Sequence, residues 1–291
     1  MNAKLELLNI TLKDKEKVIL DEMSLSIADH KIVGLLGRNG VGKTTLLSLV
    51  ASYRPPTQGM VFIDGEEAFE NEDKMGQVIF IYPGDYTEET ESVSDYVDWI
   101  KSYQKEFNSD YVDYLMTRFK IPTDQAVNKL SKGMQSSLQA AIGLASRAPI
   151  TIFDEAYLSM DAPSREIFYE ELLADQERFP RLIIISTHLV SEAEYLFDEV
   201  IIMREGKILM HDAYDNLISQ GGVVTGLAEE VDEFVTDFNP LNEKRLGNVK
   251  AVTVFGESLD KLRKEAQNSH PSLEISSVSL QTLFTQLTEE E

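Results

Sequence analysis

Gly37-Arg38-Asn39-Gly40-Val41-Gly42-Lys43-Thr44-Thr45 fits the pattern G-x-x-x-x-G-K-[ST]. Lys31-Ile32-Val33-Gly34-Leu35-Leu36, just before it, is a short apolar run that reads as a buried strand. Thr44 to Val50, just after it, reads as a helix. Glycines let successive backbone N–H groups turn inward around phosphate oxygens, and a helix N-terminus adds a favourable dipole. Gly37, Asn39, Gly40, Gly42 and Thr45 therefore form a candidate phosphate cradle. Lys43 has the reach for β- and γ-phosphates, and Thr44 offers a hydroxyl to Mg²⁺. The bland alternative is a glycine-rich turn joining strand to helix. Strand and helix in these positions favour the nucleotide site.

Outward from this loop, strand-like runs alternate with helical ones. Leu5, Leu7 and Ile10 mark a half-exposed strand, and Val18 to Ile27 a second with a possible bulge at Asp21-Glu22. Met60 to Ile63 and Gln77 to Ile81 are further strand candidates. From about 88 to 147 helical spacing takes over, with Val93, Tyr96, Val97, Ile100, Tyr103, Gln104 and Phe107 on one stripe. Strands return at Ile150 to Phe153, Leu182 to Ser186 and Val200 to Met203. This order predicts an α/β fold with a parallel sheet and an inserted helical subdomain. Gln220-Gly221-Gly222 marks a boundary, giving domains at 1–220 and 221–291. The second is a small α+β domain with helices near 229–237, 257–267 and 279–288 and a strand near 249–255.

The 291 residues carry a formal net charge of -23 with 43% hydrophobic residues, enough for a sizeable core. That charge argues against nucleic acid as a partner and against anionic lipid. There are no cysteines, which excludes disulfides and thiolate-bound metals. No apolar run has the length to span a bilayer, so a soluble chain is expected.

Four more motifs follow the loop in order. Leu130-Ser131-Lys132-Gly133-Met134-Gln135 precedes an alanine-rich helix. Ile150-Thr151-Ile152-Phe153-Asp154-Glu155 is an apolar strand delivering two carboxylates, where ligands bind in open α/β sheets. Ser159-Met160-Asp161 comes next, and Ser186-Thr187-His188 ends another apolar strand. Singly, each has a structural explanation: a helix start, two solvated acids, an N-cap before Pro163, a strand-end histidine. Together, residues 1 to about 220 resemble the nucleotide-binding subunit of an ABC transporter, with Leu130 to Gln135 similar to its LSGGQ signature.

That resemblance implies a P-loop NTPase with a RecA-like core, an antiparallel β subdomain and the helical insertion. It implies ATP and Mg²⁺ as cofactors, with Thr44 and Asp154 toward the metal and Glu155 and His188 as catalytic residues. Ser131, Gly133 and Asp161 would contact the nucleotide of a second ATPase subunit, identical or different. A transmembrane permease would be the other partner, holding the chain peripherally on the cytoplasmic side of the membrane. Tyr96, Trp99, Ile100, Tyr103 and Phe107 are candidates for its docking groove or for the subdomain's own core, with off-stripe Trp99 the better interface residue.

Departures from the family pattern are instructive. No aromatic residue stands in Thr11 to Lys17 to stack on adenine, leaving Leu12, Val18 or a lysine stem. Gly84 stands where a glutamine is expected, with Asp85 as a substitute through water. The Lys132 and Met134 variant of the signature recurs among bacterial exporter subunits with separate permeases. Ser279 to Thr288 looks like the "SLEDVFLALT" ending of many such exporters, with Leu280, Leu283, Phe284 and Leu287 as an apolar stripe. The closer resemblance is to Gram-positive exporters of amphipathic peptides such as phenol-soluble modulins. The expected function is an exporter ATPase. The alternatives are a soluble assembly-factor ATPase and a catalytically silent subunit.

Overall fold

In the computed structural model, which describes residues 4–238 and 240–289, the glycine-rich loop joins a buried strand to a helix. The first elements are β1 (Leu5–Asp14), β2 (Lys17–Ile27), β3 (Ile32–Gly37) and α1 (Lys43–Val50). β4 (Gln58–Ile63), β5 (Glu66–Glu67), α2 (Glu72–Met75) and β6 (Val78–Ile81) follow. The helical stretch holds α3 (Val93–Lys101), α4 (Ser109–Arg118) and α5 (Lys132–Ser146). Then come β7 (Ile150–Asp154), α6 (Ala162–Arg178), β8 (Leu182–Thr187), α7 (Val190–Ala193), β9 (Glu199–Arg204) and β10 (Lys207–Ala213). The remainder is α8 (Tyr214–Ser219), β11 (Gly221–Leu227), α9 (Ala228–Val235), β12 (Pro240–Leu246) and β13 (Val249–Phe255). α10 (Leu259–Ser269), β14 (Glu274–Ser277) and α11 (Leu280–Leu287) complete it.

One sheet runs β10-β9-β3-β8-β7-β6, and the pairs β3–β8, β8–β7 and β7–β6 are parallel. β3, β7 and β8 are buried at every position. A parallel sheet covered on both faces demands such unbroken apolar runs, which is why these strands are legible; β1, β2, β4 and α1 share one core with β3, β7 and β8. An antiparallel sheet, β2-β1-β4-β5, lies in the same unit. Thr11 faces the extra residues Asp21 and Glu22, since pairing passes from Ile10↔Met23 to Leu12↔Leu20. Glu22 is left-handed there, with φ 47, and its N–H donates to the Thr11 hydroxyl, so the expected bulge is present.

α5 packs against β7 through small residues. A methyl group added at Gly143 would sit 2.6 Å from the Phe153 ring, a clash costing about 1–3 kcal/mol. The aromatic stripe departs from expectation. α3 ends at Lys101 with Ser102 as its C-cap, and α4 starts after Asn108, which caps it by accepting from the Tyr111 N–H. Val93 and Val97 are buried, whereas Tyr103 is 69% exposed and Trp99 is 57% exposed. Tyr103 therefore does not fill the subdomain core.

Two compact units divide the chain. One holds the chain through His188 with Tyr195–Phe197 and Ile201–Met210; the other holds Leu189–Glu194, Asp198–Val200 and the chain from His211 onward. The second unit has its own antiparallel sheet, β12-β13-β11-β14. α9 and α10 bury Val231, Phe234, Leu262 and Ala266 with Val224, Val252 and Val254 of that sheet.

Candidate nucleotide site

The cradle is built by backbone geometry. Gly42 N-caps α1 with φ 108 and ψ 11, a left-handed conformation that a side chain would strain. An added Cβ there would also meet Leu20 Cδ2 at 2.9 Å, so β2 presses against the loop. α1 thus begins at the loop with its first N–H groups facing a cavity of about 690 Å³. Asn39, Gly40, Gly42, Lys43, Thr44, Thr45 and Glu155 line it.

Lys43 is only 6% exposed. Its ammonium donates to the Gly37 carbonyl at 2.6 Å and lies 3.8 Å from Glu155 Oε1. Burial pushes the lysine below its ordinary value, and the negative charges of Glu155 and Asp154 oppose that shift. Gly37 thus serves Lys43 through its carbonyl and does not itself line the cavity.

β7 and β8 deliver the acids and the histidine at their C-terminal ends. The Thr44 hydroxyl donates to Asp154 Oδ2 at 2.5 Å. Asp154 Oδ1 is buried without a hydrogen-bond partner. An orphaned carboxylate oxygen beside a hydroxyl fits Mg²⁺, which takes one or two carboxylates and fills its shell with phosphate and water. Among the described residues no cluster of three or more His, Cys, Asp or Glu could hold a metal, so phosphate oxygens are needed to complete this one. Glu155 is left-handed, with φ 51, and its N–H donates to the Ser186 carbonyl. This turns its carboxylate toward His188, whose Nδ1 lies 3.2 Å from Glu155 Oε1.

The remaining predicted residues lie apart from this cavity. Ser131 caps α5 by accepting from the Met134 N–H, and Asp161 caps α6 by accepting from the Ser164 N–H. An added Cβ at Gly133 would sit 3.1 Å from the Ser159 carbonyl, so these two motifs are neighbours. None of Ser131, Gly133 and Asp161 lines the cavity that holds Lys43. Leu12 does not line it either; it is 6% exposed within the core, paired with Leu20. Val18 and Lys17 do line it, together with residues the motifs did not mark: Asp14, Ile19, Val41, Glu205 and Gly206. Only the β9–β10 turn, signalled by Glu205-Gly206, hinted at the last two.

Asp85 turns inward on its own loop. It accepts from the Thr87 N–H at 3.0 Å, and hydrogen bonding to Thr87 holds its carboxyl below the usual range. A Cβ on Gly84 would lie 3.0 Å from the Tyr86 ring, which occupies the space a longer residue would need. Gly84 and Tyr86 belong to an open aromatic cleft of about 740 Å³, lined also by Tyr53, Phe80, Tyr82, Tyr96 and Trp99. Ile100, Tyr103 and Phe107 do not line that cleft.

The ABC transporter family pattern matches residues 20–158. The chain is 30% identical over 213 residues to the Fe(3+) ions import ATP-binding protein FbpC of Pasteurella multocida, covering 72% of this chain and 61% of that protein. It is 27% identical over 267 residues to an uncharacterized ABC transporter ATP-binding protein of Methanocaldococcus jannaschii, covering 91% and 95%. A solved ATP binding subunit of an ABC transporter shares the fold with a TM-score of 0.65 at 19% identity, covering 90% of this chain and 99% of that one.

Proposed function

We propose that residues 20–158, which match the ABC transporter family pattern, form an ATP-binding domain with the ATPase chemistry of that family, and that the chain is the ATPase subunit of an exporter with a separate permease. One observation carries the catalytic part: Lys43, Glu155 and His188 converge beside the Thr44–Asp154 pair. Lys43 holds the β- and γ-phosphates on the N-terminus of α1. Thr44 and Asp154 would hold Mg²⁺, which offsets phosphate charge. Glu155 polarises the attacking water, and His188 keeps that carboxylate oriented. Water attacks the γ-phosphorus, the bond to the bridging β–γ oxygen breaks, and the proton leaves through Glu155 to solvent.

Ser131, Gly133 and Asp161 lie off the cavity in one chain, and this supports a working dimer in which they face the other subunit's nucleotide. The open aromatic cleft with exposed Trp99 supports a permease helix as docking partner, which would place the chain on the cytoplasmic face of the membrane. No helix among the described residues is long and apolar enough to cross a membrane, consistent with a peripheral subunit. Export, and an amphipathic peptide as cargo, rest on the Lys132–Met134 signature and on the Ser279 to Thr288 ending.

Affinity purification from detergent-solubilised native membranes tests this reading. A stoichiometric polytopic partner, with ATPase activity lost in Glu155→Gln, is expected. A chain recovered only from the soluble fraction would overturn export in favour of an assembly factor. ATP binding without hydrolysis in the intact complex would make it a silent subunit.

A further inference from the structure

A triphosphate seated on the N-terminus of α1 directs its nucleoside toward the remaining cavity wall. That wall is the β1–β2 turn with Asp14, Lys17 and Val18, and the β9–β10 turn with Glu205 and Gly206. Among the described residues, none lining this cavity carries an aromatic ring. Stacking on such a ring typically tightens binding of a base by roughly 5- to 150-fold. Here the base meets aliphatic carbon at Val18, itself 44% exposed.

Reading one base against another requires buried polar groups that the wrong base leaves unpaired. The polar side chains on this wall are solvated instead: Asp14 and Lys17 are exposed, and Glu205 keeps 73% of its side chain in solvent. Their chemistry also serves either purine. A carboxylate accepts from the amino group of adenine or from N1–H and N2–H of guanine, and an ammonium donates to N7 or O6. Backbone ties the β9–β10 turn to β2: a Cβ on Gly206 would lie 2.4 Å from the Ile19 carbonyl, and the Asp21 N–H donates to the Gly206 carbonyl at 2.9 Å.

We infer that this cavity grips the triphosphate and leaves the base unread, so that the chain hydrolyses GTP and CTP about as well as ATP. The inference rests on the nucleotide reading of the same site. The reaction is unchanged: water attacks the γ-phosphorus and nucleoside diphosphate and inorganic phosphate leave.

The test is displacement of a ribose-labelled fluorescent ATP from the full chain, with Mg²⁺, by ATP, GTP, CTP and inorganic tripolyphosphate. Phosphate release is followed for each nucleotide. Dissociation constants and kcat/KM within about tenfold across the three nucleotides are expected, with tripolyphosphate within about tenfold of ATP. ATP favoured by more than tenfold over GTP would overturn the inference while leaving the nucleotide site intact. Failure of every competitor, tripolyphosphate included, would instead bring down the nucleotide reading. Val18→Trp adds a ring to the wall and is expected to tighten nucleotides about fivefold or more with tripolyphosphate unchanged. Equal affinity of variant and parent for nucleotides would show that the base does not lie against this wall, and would also overturn the inference.

Discussion

The loop around Lys43 and the segment around Ser131 both end at a helix N-terminus, yet they are built to opposite ends. At Lys43 the cap is a left-handed glycine with no side chain, and α1 keeps its first N–H groups free. At Ser131 the side chain accepts from the Met134 N–H, and Asp161 does the same for Ser164 at the start of α6. Around Lys43, burial and charge accumulate: an ammonium below its ordinary value, an orphaned Asp154 oxygen, a strained Glu155. Around Ser131 the surface is exposed and its hydrogen bonds are local. The first region has stored stability cost inside one chain, the usual mark of a site that does chemistry. The second is satisfied as it stands, and on the proposed reading it becomes a site only against another subunit.

The largest effect that could break this contrast is at Glu155. Glu155→Gln is expected to lower phosphate release by about 100-fold or more while ATP still binds, because a positioned general base contributes about 10²–10⁴. Retained turnover would move the chemistry away from the Lys43 side. Next, Ser131→Arg is expected to cut turnover by at least about tenfold with ATP affinity of the isolated chain intact, since the residue does not line the cavity. Unchanged turnover would reduce this region to a helix start.

Stability sharpens the same contrast. Lys43→Met is expected to raise the melting temperature of the nucleotide-free protein although it abolishes turnover. The sign follows from the lowered lysine: the unfolded chain holds that proton more firmly, so charging Lys43 costs the native state stability below its folded pKa. Native stability recovers as pH rises from that pKa toward 10.5, so the advantage of the variant should shrink over that window. An advantage that does not vary with pH would assign it to packing. The smallest effect separates capping from contact at Asp161. Asp161→Ala is expected to cost about 1 kcal/mol in urea unfolding, while Asp161→Asn, which caps equally well, costs close to nothing. Turnover lost in both variants alike would show a role beyond the cap.

The second unit shows where reading the sequence stops. α9, α10 and β13 were visible because each has an apolar face turned to a shared core. β12, Pro240–Leu246, was not: six of its seven residues are exposed, so neither alternation nor an apolar run marks it. It is a strand because β13 offers it a hydrogen-bonding edge, which is a property of β13 and not of β12. The run from Val93 to Phe107 failed in the opposite way. Its spacing was helical throughout, but α3 stops at Lys101 with Ser102 as its C-cap, and Tyr103 beyond it lies in solvent.

The chain's local order of residues was enough for the glycine-rich loop between strand and helix, the two strand-end carboxylates, the strand-end histidine and the alternating α/β pattern. Each depends on short-range rules: glycine at a left-handed turn, an unbroken apolar strand in a sheet covered on both faces, a polar residue at the strand end. Folding in three dimensions settled what meets across long separations. It set Thr44 on Asp154, His188 on Glu155 and the β9–β10 turn against β2, and it buried Leu12 while leaving Val18 to face the cavity. Those choices arise from sheet order and register, where a shift of one residue reverses which side chain faces the cavity and which faces the core.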